Sequence, residues 1–221
     1  MKKILIGFVV VLGALAMVFA LGPREPVEET IAAFDAPPLA DLDTYLLAED
    51  AKVANLRDGS ERNIVWADPT AKAKTPLAVV YLHGFSANPR EVRPLPDMVA
   101  EDLGANLYFA RLTGHGRDGA AMAEPTANDW LNDTAQAIAI GRALGEKVIL
   151  VSTSTGGTLA TWALSKPELA QGVAGNVMIS PNFGVQAAGS GILTMPWARQ
   201  ILPMIFGEER AFEPINEEHG K

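Results

Sequence analysis

Apolar and polar positions divide the chain into four stretches. In the first, Lys2 and Lys3 precede an unbroken apolar run from Ile4 to Gly22, stopped by Pro23. The run has no polar face, so it does not fit the buried side of a globular core helix. At about 1.5 Å of rise per residue it is just long enough to cross a hydrocarbon layer about 30 Å thick, and the two lysines predict a cytoplasmic N-terminus. Residues 1–23 are therefore expected to be a signal anchor or transmembrane helix, with the remainder on the periplasmic or extracytoplasmic side. A cleaved signal peptide ending near Val18-Phe19-Ala20 is the rival reading and predicts a secreted protein.

Residues 24–44 are rich in proline and acid, with no regular apolar spacing, and read as a stalk. From Tyr45 onward the pattern turns globular. Two short apolar-containing runs flank Asp58-Gly59, which predicts an early β-hairpin. Four apolar runs follow, at 76–85 (PLAVVYLHGF), 106–116 (NLYFARLTGHG), 147–157 (KVILVSTSTGG) and 175–183 (GNVMISPNF). Each predicts a strand buried on both faces. Helix-like stretches separate them, which implies α/β class: a mostly parallel sheet with flanking helices. The clearest helix is expected from an Asn128 N-cap to a stop at Gly145, with Trp130, Thr134, Ala137, Ile138, Gly141 and Leu144 facing the core. Residues 45–183 are read as this α/β core, and 184–221 as a separate, partly apolar region.

Composition narrows the partners. The 221 residues carry 26 acidic and 18 basic side chains, a formal net charge of -8, which repels phosphate backbones and predicts no nucleic acid partner. The chain has no cysteine, so disulfides, thiolate metal sites and a cysteine nucleophile are excluded. Its three histidines, His83, His115 and His219, stand far apart in sequence, a spacing that gives no support to a histidine-rich metal site.

Ligands of open α/β sheets meet the loops at the carboxyl ends of the strands, and two such loops stand out here. A strand that bends sharply into a helix needs small residues two positions either side of the bend, the logic of the G-x-S-x-G turn. Here the pentad is Ser152-Thr153-Ser154-Thr155-Gly156, with Gly157 giving further room. Ser154 is the nucleophile candidate. A helix cap or a phosphate cradle is the plainer alternative, but no lysine or arginine follows the turn until Lys166, and neither phosphate-loop signature is present. The earlier loop, LHGFS, ends the first of the four strands. Acyl transfer needs two amide donors aimed at the developing oxyanion, and the backbone N–H groups of Phe85 and Thr155 hold the matching positions. Gly84 would allow close approach, while His83 and His115 read as structural.

The ordered series HGF, GHG and S-T-S-T-G-G resembles the α/β-hydrolase superfamily, in its monoacylglycerol lipase-like and serine aminopeptidase-type branch, over about residues 52–183. That resemblance implies a serine hydrolase of carboxylic esters. Ser154 would attack, a histidine would take its proton, an acid would orient the histidine, and the Phe85 and Thr155 amides would form the oxyanion hole. Serine peptidase activity and a non-catalytic module are the alternatives. The implied substrate is a small-molecule acyl ester or a lipid-like molecule, with no cofactor, and the N-terminal helix is the contact with membrane. Residues 184–221 resemble the beginning of a cap, in which Ile192, Met195, Trp197, Ile201, Leu202, Met204, Ile205 and Phe206 would line an acyl pocket. The triad acid and histidine are not found in their family positions. His219 follows Ser154 but lies in one short polar stretch with Glu213, and ordering that stretch onto the site would cost about 1 to 2 kcal/mol per residue. The resemblance therefore implies a C-terminally incomplete hydrolase of weak or no activity.

Overall fold

The computed structural model describes residues 2–24, 26–184, 186 and 188–207. Contacts group them into two units, Val27–Gly184 and Met1–Pro26 with Val185–Lys221.

In the larger unit, helix α2 (Leu42–Asp50) precedes strand β1 (Asn63–Val65), β2 (Thr75–Leu82), α3 (Leu95–Asp102), β3 (Asn106–Phe109) and α4 (Ala127–Leu144). Strand β4 (Gly145–Thr153), α5 (Thr155–Leu164), α6 (Pro167–Ala170) and β5 (Val173–Ile179) complete it. The sheet order is β1-β3-β2-β4-β5. Strands β2 to β5 are parallel, and only β1 runs against its neighbour, β3. Val79 is held between Leu107 and Ile149, in the middle of the sheet. Residues Ala78 to Leu82 of β2 are wholly buried, because helices cover both faces of this strand. Leu42, Val80, Leu82, Ile138, Leu144 and Leu150 belong to one apolar cluster, and Val79, Tyr81, Leu107 and Phe109 to another on the opposite face.

Four local expectations change. Helix α4 is capped by Thr126, not Asn128: the Asp129 amide donates to Thr126 Oγ1, and Asp129 Oδ2 accepts from the Thr126 amide, so two orphan N–H groups are satisfied reciprocally. At its other end Gly145 is extended, not left-handed, and leads straight into β4. Its glycine is required by crowding, since a Cβ there would lie 2.4 Å from the Ala78 nitrogen. The expected hairpin around Asp58-Gly59 is absent. Tyr45 belongs to α2, whose Leu42 and Leu46 bury one helical face on the core, and only β1 follows the turn. Strand β5 is not buried on both faces: among the described residues it pairs only with β4, and Val177 and Met178 are 55% and 42% exposed.

The stretch that composition marks as a stalk is also partly in contact with the fold. Ile31, Phe34 and Leu39 pack against the first cluster. The Thr30 and Ala32 amides donate to Asn128 Oδ1 and Asn132 Oδ1 at 3.1 and 2.7 Å. These anchors are backbone-to-side-chain bonds, which leave no periodic trace in sequence.

In the smaller unit, α1 (Lys2–Ala20) has no buried residue and is the one described helix long and apolar enough to cross a membrane. Its 19 residues span about 28 Å. Helix α7 (Ala198–Phe206) follows Trp197, whose amide donates to the Pro23 carbonyl at 2.9 Å and whose Nε1 donates to the Val18 carbonyl at 3.2 Å. Met204, Ile205 and Phe206 are exposed within this unit.

Candidate active site

At the end of β4 the chain turns through Ser154, at φ 49° and ψ −112°, directly into α5. A non-glycine residue in this left-handed region costs on the order of 1 to 3 kcal/mol and persists only where its surroundings enforce it. They do so here through four backbone bonds. The Ser154 amide donates to the Ile179 carbonyl at 2.9 Å, and the Ser154 carbonyl accepts from Gly157, Thr158 and Asn182 at 3.0, 3.3 and 3.0 Å. The bend is thus locked to the end of β5 and to the first turn of α5.

Small residues surround the bend for distinct reasons. A Cβ on Gly156 would sit 2.2 Å from the Leu82 carbonyl oxygen and 2.7 Å from that of His83, both backbone atoms of the neighbouring strand end. On Gly157 it would lie 2.9 Å from Pro181 Cβ. Ser152, where the G-x-S-x-G pattern has glycine, is fully buried and donates from Oγ to Asn176 Oδ1 at 3.2 Å. On Gly84 a Cβ would come within 3.2 Å of Ser154 Cβ. The loop after β2 and the bend after β4 are therefore in close contact.

Ser154 is half-buried, and its hydroxyl bonds to no acceptor among the described residues. Neither the Phe85 nor the Thr155 amide donates to a protein acceptor there. Thr155 is the first residue of α5, so its N–H belongs to the orphan donors of a helix start. The Phe85 ring is 57% exposed and meets His115 and Trp130 edge-on, each at 6.1 Å between centroids.

The two described histidines are committed elsewhere. His83 is wholly buried; its Nε2 accepts from the Leu112 amide at 3.1 Å, which assigns the proton to Nδ1, and Nδ1 donates to the Gly84 carbonyl at 2.9 Å. Burial, reinforced by His115 nearby, pushes its pKa down to about 3, so the ring is neutral. His115 Nε2 accepts from the Ser86 amide at 3.1 Å, and burial lowers its pKa too. His83 thus ties the loop after β2 to the loop after β3, and His115 repeats the tie three residues further along each loop. Glu213 and His219 lie outside the described residues. Among the described residues no group of three or more His, Cys, Asp or Glu is placed to hold a metal ion.

Sequence reasoning missed Glu91. Its Oε2 accepts from the Gly84 amide at 2.9 Å and from the Tyr81 hydroxyl at 2.8 Å, and that hydroxyl lies 3.0 Å from Thr153 Oγ1. A chain of hydrogen bonds therefore runs from the residue before Phe85 to the residue before Ser154. The only sequence signal is a charged residue shortly after the HGF loop, which is indistinguishable from an ordinary surface acid.

Residues 79–217 match the Alpha/beta hydrolase family. The chain is 27% identical over 127 residues to the Thermostable monoacylglycerol lipase of Bacillus sp. (strain H-257), a match covering 57% of this chain and 49% of that protein. A solved structure reported for LipS and LipT, two metagenome-derived lipolytic enzymes, is similar at a TM-score of 0.54 and 26% identity, over 63% of this chain and 53% of that one. The chain spans about half the length of these relatives. With the match extending over more than half of its residues and the parallel sheet and strand-to-helix bend in place, the chain belongs to the α/β-hydrolase family.

Proposed function

We propose that this chain carries the nucleophile and oxyanion half of a serine esterase acting on carboxylic esters of lipid-like or medium-chain acyl groups. The single observation that supports it best is the enforced left-handed turn at Ser154, with two unengaged amides, Phe85 and Thr155, on loops that touch beside it. In this reading Ser154 Oγ bonds to the ester carbonyl carbon while the carbonyl oxygen takes up negative charge. The Phe85 and Thr155 N–H groups donate to that oxygen, and the positive end of α5 favours it further. Collapse of the adduct breaks the bond to the alcohol oxygen, which leaves with the serine proton, and the acyl-serine that remains is cleaved by water to the acid and free serine. The serine proton needs a base. Neither described histidine is free to serve, since both spend their acceptor nitrogens on backbone amides.

The substrate class follows from the relatives, one a monoacylglycerol lipase and the other lipolytic. In this reading α1 is a membrane anchor that presents the α/β unit to lipid on the extracytoplasmic side, the orientation that Lys2 and Lys3 favour. The test is reaction of the full chain with a fluorophosphonate, mapped by mass spectrometry, alongside p-nitrophenyl butyrate hydrolysis. A label on Ser154, with the hydrolysis lost in Ser154→Ala, is expected. Label elsewhere only, or hydrolysis unchanged in Ser154→Ala, rejects the reading.

A further inference from the structure

Helix α7 separates its residues by polarity. At 3.6 residues per turn, Arg199, Gln200 and Pro203 fall within about a third of the circumference, and apolar residues fill the rest. The backbone follows the same division, because Pro203 supplies no N–H to the Arg199 carbonyl. On the apolar side, Met204, Ile205 and Phe206 are 86%, 59% and 69% exposed, so protein leaves them largely uncovered among the described residues. Leu193, in the short helical turn Ser190–Thr194 that precedes α7, is exposed as well.

The start of α7 indicates what this face meets. The last carbonyls of a helix have no N–H four residues on, and at the edge of a bilayer they need another donor. Trp197, the residue before α7, supplies one: its Nε1 donates to the Val18 carbonyl at 3.2 Å, two residues from the end of α1. Its amide donates to the Pro23 carbonyl at 2.9 Å, and Arg24 Nη1 donates to the Thr194 carbonyl at 2.7 Å. The indole lies directly on Gly22, where a Cβ would come 1.8 Å from Nε1. These bonds hold the first residue of α7 at the C-terminal end of α1. That is the level at which the amphipathic ring of a tryptophan is favoured, between acyl chains and water. The nine residues of α7 extend about 14 Å, too short to cross a bilayer but suited to lying along its surface. Arg199 is the one charge on the helix, so no acid on it repels anionic headgroups.

We propose that α7 is a second membrane contact, an inference that rests on the reading of α1 as an anchor. The helix lies along the interface of the leaflet in which α1 ends. Leu193, Met204, Ile205 and Phe206 sit among the acyl chains, and Arg199 and Gln200 face water. The partner is the phospholipid surface, and Trp197 joins this contact to the anchor.

A chain without cysteine allows each position to be labelled singly. The full chain is placed in phosphatidylcholine–phosphatidylglycerol vesicles with a nitroxide on Leu12→Cys, Gln200→Cys or Ile205→Cys, and collisions with oxygen and with a water-soluble nickel chelate are compared. Oxygen should dominate for the Leu12 and Ile205 labels and nickel for the Gln200 label, with the Ile205 label about 5 to 10 Å below the headgroups. Nickel dominance at both Gln200 and Ile205 means that α7 stands in water. Few collisions with either reagent at Ile205 mean that protein covers it, as the lining of an acyl pocket would be covered. Either result overturns the inference, while oxygen dominance at Leu12 leaves the anchor standing. Nickel dominance at Leu12 rejects the anchor and this inference with it.

Discussion

Replacing His83 by glutamine should remove a specific part of the protein's acid sensitivity. The imidazole is wholly buried and neutral, held between the Leu112 amide and the Gly84 carbonyl, with a pKa of about 3 against about 6.5 in the unfolded chain. A base whose folded pKa is depressed takes up protons on unfolding. Its contribution is therefore complete above pH 6.5 and is lost as pH falls from 6.5 toward 3. Between pH 7.5 and pH 5 the loss from this one group amounts to roughly 1.5 pH units at 1.36 kcal/mol each, or about 2 kcal/mol. Glutamine reproduces one acceptor and one donor but does not titrate. Urea unfolding of parent and His83→Gln at pH 7.5 and pH 5 measures the effect as a difference, so acids and bases common to both cancel. The variant should be less stable at pH 7.5, because its fit is poorer, and the gap should shrink by about 2 kcal/mol at pH 5. A gap that does not change with pH would refute the buried, neutral His83. It would reopen the question of whether this histidine is available as a base.

Two further substitutions probe the architecture of the bend. Gly156→Ala drives a Cβ against two backbone carbonyls of the β2 end, so it should cost about 3 kcal/mol by chemical denaturation and abolish fluorophosphonate labelling at Ser154. Gly175→Ala, a glycine with open space at its Cβ position, is the control and should do neither. Glu91→Ala leaves the Gly84 amide without its acceptor and should cost about 2 kcal/mol, with faster amide exchange across residues 83–87 measured by mass spectrometry. Glu91→Gln keeps a carbonyl oxygen for both donors and should restore most of the protection; equal exchange in the alanine and glutamine variants would show that this bond does not hold the loop.

How much of this was legible beforehand depended on whether the cause was local. Strands β2 and β4 were visible because a run such as Ala78–Leu82 is apolar throughout, the signature of a strand covered on both faces. The bend at Ser154 was visible because crowding within a few residues demands small side chains at fixed spacing. By contrast, Thr126 and Asn128 are both good N-caps by type, and only the reciprocal bond with Asp129 distinguishes them. Glu91, the anchoring of Thr30 and Ala32 to α4, and the sharing of Asp50 by Arg62 and Arg111 all join residues through hydrogen bonds across the fold. Such pairs have no period and no composition bias. The exposure of β5 was missed because an apolar run looks the same on a central strand and on an edge.

The departure from G-x-S-x-G at residue 152 makes the same point from within the motif. The two small positions of the pentad do not bear equal constraints. At 156 the collision is with backbone, 2.2 Å from the Leu82 oxygen, and neither strand nor helix can yield without breaking the packing of the bend. At 152 the hydroxyl is fully buried and finds Asn176 Oδ1 across the β4–β5 ladder, in line with its backbone partner Met178 two residues further on. A buried hydroxyl with an acceptor is tolerated where one without would cost roughly 1 to 3 kcal/mol. The serine at 152 is therefore compatible with the bend because Asn176 Oδ1, and at 3.4 Å the Val177 carbonyl, accept from its hydroxyl. Asn176→Val leaves the hydroxyl only the longer contact to the Val177 carbonyl, so it should destabilise the parent by about 1 kcal/mol and a Ser152→Gly variant by much less, as read by a double-mutant cycle in urea. Equal costs in the two backgrounds would mean that Ser152 is accommodated for some reason other than this bond.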